Sequence, residues 1–117
     1  MNIFEKIDSI IGTLNIKYYD TMPTFGEYDE PQLYIVYSLY DRCDFFGDGK
    51  LVGRGYTVTI NVIGNNVRQV DELQEKVGKV LQENGFIYGG CSYQIDNDYP
   101  RQYRRIIDFT YQHFDCG

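Results

Sequence analysis

The chain has 117 residues, of which 43% are hydrophobic and 24% are charged. These proportions are typical of one globular domain and argue against a disordered chain or two domains. The net charge is −6, and because phosphate contacts require lysine and arginine, this sign disfavours a protein that recognises nucleic acid. The cysteines, Cys43, Cys91 and Cys116, are widely spaced, which favours free thiols in a cytoplasmic protein. We predict neither a signal peptide nor a membrane span.

The first half of the chain predicts a helix followed by two strands. Apolar residues repeat at helical spacing over residues 3–14, and a long connector covers residues 15–31, with a short extended piece at Lys17–Tyr19. Residues 32–40 are rich in β-branched and aromatic types and predict a strand. Residues 41–55 contain four glycines and predict a long hairpin connection. The next strand is predicted from the apolar and polar alternation that follows this connection.

The strand at residues 32–40 is apolar on both faces, which a strand in a small sheet does not need. Its second face carries Tyr34, Val36 and Tyr40, and an apolar face that the sheet leaves uncovered is typical of a subunit interface. Phe45 and Phe46 lie among the glycines of the hairpin connection, where no periodicity assigns them to the core. We therefore predict that this connection projects and contacts a neighbouring subunit.

The second half predicts a helix and another pair of strands. Apolar residues line one side of the helix, which follows the capping segment Gly64-Asn65-Asn66 and ends at Asn84 and Gly85. The strand after it contains two consecutive glycines that suggest a bulge, and a last strand follows over residues 102–114. The order α-β-β-α-β-β closes most simply as an α+β domain over residues 1–117. We expect a mainly antiparallel four-stranded sheet, two helices packed on one face and long loops.

No group of residues predicts catalysis or metal binding. His113 is the only histidine and belongs to no nucleophile motif, while a zinc site needs about four paired ligands. The aspartates around Asp44 do not match a calcium-binding loop. A cluster at Arg101, Arg104 and Arg105, beside Tyr99 and Tyr103, would suit an anion or a nucleic-acid backbone, but in an acidic chain it fits a sheet edge or a subunit contact better.

The order of these elements and the types of residue in them resemble one known family. The segments Tyr34-Ile35-Val36-Tyr37 and Tyr56-Thr57-Val58-Thr59-Ile60, the helix containing Val77-Gly78-Lys79-Val80-Leu81, and the closing Tyr103-Arg104-Arg105-Ile106-Ile107 together look like the tail-terminator and tail-completion proteins of tailed phages and phage-tail-like bacteriocins. The resemblance covers nearly the whole chain and contains no chemical motif. The proline-containing connector at residues 15–31 departs from the pattern.

The resemblance implies a non-enzymatic virion or prophage protein without cofactor. It would form a homo-oligomeric ring, typically a hexamer, that ends the tail tube and joins it to the head connector or collar. Partners would be tube, sheath or connector proteins, and DNA would pass through the ring without specific recognition. Assembly would take place in the bacterial cytoplasm. The candidate subunit interface comprises Tyr34, Val36, Tyr40, Phe45, Phe46, Arg54, Tyr99, Arg101 and Arg104.

Two readings from other classes of protein stay open at this level. One is an α+β module that binds a small ligand or a peptide and regulates an enzyme. The other is a small inhibitor of a hydrolase or nuclease.

Overall fold

The computed structural model describes residues 3–20, 31–47, 49–96 and 102–114. For residues 40–47, 50–52, 54, 94–96 and 113–114 it describes the backbone but not the side chains. In chain order, the described elements are α1 (Ile3–Ile11), a 3-10 turn (Gly12–Leu14), β1 (Lys17–Tyr19), β2 (Leu33–Gly47), β3 (Lys50–Gly64), α2 (Val67–Glu83), β4 (Ile87–Asp96) and β5 (Gln102–Phe114).

The α+β class is as predicted, but the sheet is not. Its described strands number five, in the order β1-β2-β3-β5-β4, and β1 runs parallel to β2 with Lys17 opposite Tyr34. The prediction of a four-stranded antiparallel sheet is therefore wrong. Strand β1 has three residues, too few to show a period of two. Its parallel pairing depends on a crossover that sequence periodicity does not reveal.

The hairpin formed by β2 and β3 replaces the predicted loop at residues 41–55. Each strand has fifteen residues, and the pairing continues from Leu33 opposite Gly64 to Gly47 opposite Lys50, with irregularities after Leu39 and Phe45. Fifteen residues at about 3.3 Å each reach about 50 Å, close to the 55 Å long axis of the molecule. The glycines and charged residues of this segment do not predict strands, because both types are depleted in strands and interrupt the alternation of apolar and polar residues.

Helix α2 begins and ends where the sequence predicts. The Asn66 side chain accepts hydrogen bonds from the backbone N–H groups of Arg68 and Gln69 at 3.0 and 3.2 Å, which satisfies two donors of the first turn. At the other end Gly85 adopts a φ of +91°, and the Phe86 N–H donates to the Leu81 carbonyl at 3.0 Å. A left-handed glycine followed by such a bond is a common helix terminator.

One core joins both helices to the same face of the sheet. Val70, Leu73, Val77 and Leu81 of α2 are buried together with Val58, Ile60, Ile107 and Phe109 of the sheet and four isoleucines of α1. Two residues that the apolar stripes included are exposed instead: Phe4 is 44% exposed and Val67 is 40% exposed. Val67 is the first residue of α2, so it lies at the margin of the helix–sheet contact.

A partly buried hydrogen bond holds α1 to β2. The Tyr37 hydroxyl donates to Asp8 Oδ1 at 2.9 Å, and Tyr37 is 1% exposed. Burial, then the hydrogen bond to Asp8 and the negative charge of that carboxylate, raise the pKa of the Tyr37 phenol well above its usual range. The phenol is therefore a neutral donor in the folded chain.

The predicted bulge in β4 is present. The pairing with β5 shifts between Tyr88 and Gly90, and Gly90 has a φ of +139°, which L side chains rarely adopt. The extra residue places Tyr88 on the same face of the sheet as Cys91, because they oppose Phe109 and Ile107 of the core. Ile87 is opposite Thr110 and therefore lies on the other face.

Candidate assembly surfaces

The apolar second face of β2 is buried within the chain. Tyr34 is 1% exposed and Val36 is 6% exposed, and both pack with Ile63 and with Tyr19 of β1. The rings of Tyr19 and Tyr34 meet edge to face with centroids 6.1 Å apart. The expectation that this face is left uncovered is wrong for Tyr34 and Val36, because the sequence does not show that β1 pairs with β2 and brings Tyr19 against them.

The other candidate interface residues fall into three groups. The first group belongs to the β2–β3 hairpin and comprises Tyr40, Phe45, Phe46 and Arg54. The backbone places Phe45 opposite Gly53, and the side chains of all four residues lie outside the described part of the structure. Tyr99 and Arg101 lie outside the described residues, so the predicted cluster around them stays a prediction.

Arg104 lies in β5 and is partly buried. Cross-strand pairing puts it in one row with Ile63 of β3, which in turn is opposite Tyr34. Residues directly opposite one another share a face of the sheet, so Arg104 lies two strands away from Tyr34 on the face opposite the helices. Two members of the predicted interface are therefore brought onto one face.

The structure exposes apolar residues that the sequence argument missed, on the edge strand β4. Ile87 is 56% exposed, Tyr88 is 47% exposed and Tyr93 is 37% exposed. β4 is the last strand of the described sheet on its side, and it carries no charged residue from Ile87 to Ile95. Edge strands in soluble proteins are commonly protected by charges or proline, and the lack of charge here was a signal available in the sequence.

A shallow groove separates β4 from α2. It is open to solvent, has a volume of about 550 Å³, and is bounded by Tyr88 on one side and by residues of α2, among them Gln74, Gly78 and Gln82, on the other. An alanine Cβ at Gly78 would meet no atom within 4 Å. The packing of this chain therefore gives no reason for a glycine at this point of the helix.

Arg105 joins β4, β5 and α2 at one end of this groove. Its Nε donates to Asp71 Oδ1 at 2.9 Å, and its guanidinium carbon lies 4.1 Å from the centroid of the Tyr93 ring. The ion pair and the cation–π contact share one cation, so the edge strand is held to the helix through a side chain of its neighbour.

Across residues 3–20, 31–47, 49–96 and 102–114, no three histidine, cysteine, aspartate or glutamate side chains are grouped so that they could hold a metal ion. Cys91 is a free, exposed thiol on β4. In the same part of the chain no helix is long and apolar enough to cross a membrane.

No protein-family model matches the chain, and no curated protein matches it.

Proposed function

We propose that this chain is a non-enzymatic structural subunit that assembles with copies of itself into a ring. The ring would end the tube of a phage tail or phage-tail-like particle and join it to the head connector or collar. The particular particle and the ring rest on the resemblance in element order and residue texture described above. The surfaces proposed for assembly follow from the positions of the described residues in the structure.

The single observation that carries the proposal is the reach of the β2–β3 hairpin. Each strand of the hairpin has fifteen residues, and the pairing continues beyond Leu39 and Tyr56 to Gly47 and Lys50. At about 3.3 Å per residue such a strand spans about 50 Å, most of the 55 Å long axis of the molecule. β5 accompanies the hairpin as far as Phe114 opposite Gly53. An arm of this length can reach a neighbour at a different site from its own, which is the heterologous contact that a closed ring requires.

The edge strand β4 offers a second surface for the same purpose. Ile87, Tyr88 and Tyr93 are exposed on a strand without charges between Ile87 and Ile95, with Tyr88 and Tyr93 on one face of it and Ile87 on the other. Aromatic side chains are enriched and charged ones depleted at the centres of protein interfaces. The arm and the edge strand are different surfaces of one subunit, so a contact between them could repeat from copy to copy.

The experiment is loss of the protein from the particle. Particles assembled without this chain should have tails of uncontrolled length and should fail to attach a head or collar, as seen by negative-stain microscopy. Re-supply of the wild-type chain should restore one tail length. Normal length and attachment in its absence would exclude the proposal. A ring seen only with tube protein present would agree with it, because tube ends can template closure.

A further inference from the structure

The outward side of α2 carries charges in an unusual order. Because an α-helix advances about 100° per residue, six exposed charged residues fall on one stripe, away from the buried Val70, Leu73, Val77 and Leu81. They are Arg68, Glu72, Glu75, Lys76, Lys79 and Glu83. Their signs run plus, minus, minus, plus, plus, minus. About the midpoint between Glu75 and Lys76, every residue has a counterpart of opposite charge at the same distance.

These charges are not neutralised inside the chain. Within the part that the structure describes, no ion pair of 4.0 Å or less involves any of the six, whereas Asp71 on the flank of the same helix binds Arg105 at 2.9 Å. Glu72, Glu75, Lys76 and Lys79 surround a second open depression, of about 280 Å³. The usual role of alternating charges on a helix surface is to pair at a spacing of four residues, and here such pairs do not close.

We propose that this stripe binds the same stripe of a second copy of the chain, with the two α2 helices antiparallel about a two-fold axis between Glu75 and Lys76. In that arrangement Glu75 faces Lys76 of the second copy, Glu72 faces its Lys79, and Arg68 faces its Glu83. By symmetry each contact occurs twice. A parallel arrangement would put like charges together, so the order of charges selects both the partner and its direction.

The charge of the whole chain supports a second copy at this face in particular. At −6, two copies repel one another over most of their surfaces. The six residues carry three positive and three negative charges, so their net charge is zero. Two copies are therefore not repelled at this stripe, and the order of its charges makes them attract one another. The contact consists of exposed ion pairs, hence it is weak and salt-sensitive.

This inference does not rest on the proposed function. A two-fold contact uses the same surface on both copies, whereas a ring uses two different surfaces. The pairing of α2 stripes would therefore join two chains, or two rings, without replacing the contacts that close a ring.

The test compares charge-reversed variants of the full chain by sedimentation velocity at low and high salt. The wild-type chain should dimerise in about 20 mM salt, and its dissociation constant should rise at least about tenfold in about 500 mM salt. Glu72→Lys/Glu75→Lys and Lys76→Glu/Lys79→Glu should each lose the dimer. An equimolar mixture of these two variants should form a heterodimer, because each then meets the opposite charge.

The matched control is the fourfold variant that carries all of these reversals. It keeps the net charge of −6 and the opposite charges within the 72/76 and 75/79 pairs, although positions 68/72 and 79/83 then carry like charges, and its stripe is still self-complementary, so it should dimerise like the wild type. Circular dichroism checks that each variant is folded. A wild-type chain that is monomeric in low salt, a dimer that either double variant retains, or a mixture without heterodimer would overturn the proposal. Ring formation on tube ends is measured separately. If rings fail to form in the particle experiment, that result contradicts the proposed function and leaves the α2 contact untouched.

Discussion

The guanidinium of Arg105 stacks on the ring of Tyr93, 4.1 Å from its centroid, and this contact joins the edge strand β4 to β5. The same side chain binds Asp71 of α2 at 2.9 Å. One cation thus links three elements at the margin of the sheet, next to the apolar residues that we assign to assembly.

A double-mutant cycle measures this link. Tyr93→Leu and Arg105→Met should show a coupling free energy of about 0.5–1 kcal/mol in the free energy of unfolding, because each change removes the same cation–π contact. Urea unfolding of the two single variants and the double variant gives the value. As a control, Thr110→Ala paired with Arg105→Met should be additive, since Thr110 is an exposed residue five positions along β5. Additivity in the Tyr93 cycle would mean that the ring contact is energetically neutral.

Leu73 anchors α2 to the sheet, so Leu73→Ala should lower the free energy of unfolding by about 2–5 kcal/mol. Leu73 is 6% exposed and belongs to the main core. Val67→Ala is the matched control on the same helix and should change stability by less than about 0.5 kcal/mol, because Val67 is 40% exposed. Equal losses at the two positions would show that α2 does not pack through the face described here.

Substitution by alanine at two glycines should change the stability of the chain in opposite directions. Gly78→Ala should raise stability by about 0.5–1 kcal/mol, because the position is helical and an added Cβ meets no atom within 4 Å. Gly64→Ala should lower it by about 1–3 kcal/mol, because the Cβ would lie 2.9 Å from Val70 Cγ2 and 3.1 Å from the Gln32 carbonyl oxygen. Thermal unfolding of both variants decides the signs. A destabilised Gly78→Ala chain would contradict the open geometry of the groove.

The Tyr37–Asp8 hydrogen bond should make stability depend on pH in alkaline solution. The pKa of Tyr37 is raised in the folded chain by burial first and by Asp8 next, so the unfolded chain loses this proton at lower pH than the folded chain does. The contribution is complete below the ordinary tyrosine pKa of 10.0 and is lost progressively as pH rises above it. Tyr37→Phe should cost about 1 kcal/mol at neutral pH.

Urea unfolding at a series of pH values checks this prediction. The stability difference between the wild type and Tyr37→Phe should shrink as pH rises past about 10. The wild type shares all its other tyrosines with the variant, so their titration cancels in the comparison. A difference that is constant or grows with pH would contradict the assigned shift.

The edge strand prediction concerns assembly and leaves folding unchanged. Ile87→Lys should abolish ring formation on tube ends with a change in the melting temperature of no more than a few degrees, because Ile87 is 56% exposed in the single chain. Thr110→Lys adds the same charge at the position opposite Ile87 on the neighbouring strand, and it should still assemble. Rings formed equally by both variants would remove β4 from the interface.

Local chemistry in the sequence was sufficient for the helix α2. Its cap at Asn66, its apolar stripe and its end at Gly85 are each set by neighbouring residues and lie where we predicted them. The bulge at Gly89 and Gly90 and the extended piece at Lys17–Tyr19 were also visible as local signals. The α+β class followed from the alternation of such segments.

Long-range pairing decided what the sequence alone could not. Lys17–Tyr19 became a parallel fifth strand only because β2 lies beside it, and this packing buries Tyr34 and Val36, whose apolar character had suggested an open face. Residues 41–55 read as a loop, yet hydrogen bonds across the hairpin and to β5 hold residues 41–47 and 50–55 as strands. A helix satisfies its backbone hydrogen bonds within about four residues, so its sequence determines it. A strand satisfies them on a distant segment, so only the tertiary structure determines where the sheet ends and which apolar residues remain exposed.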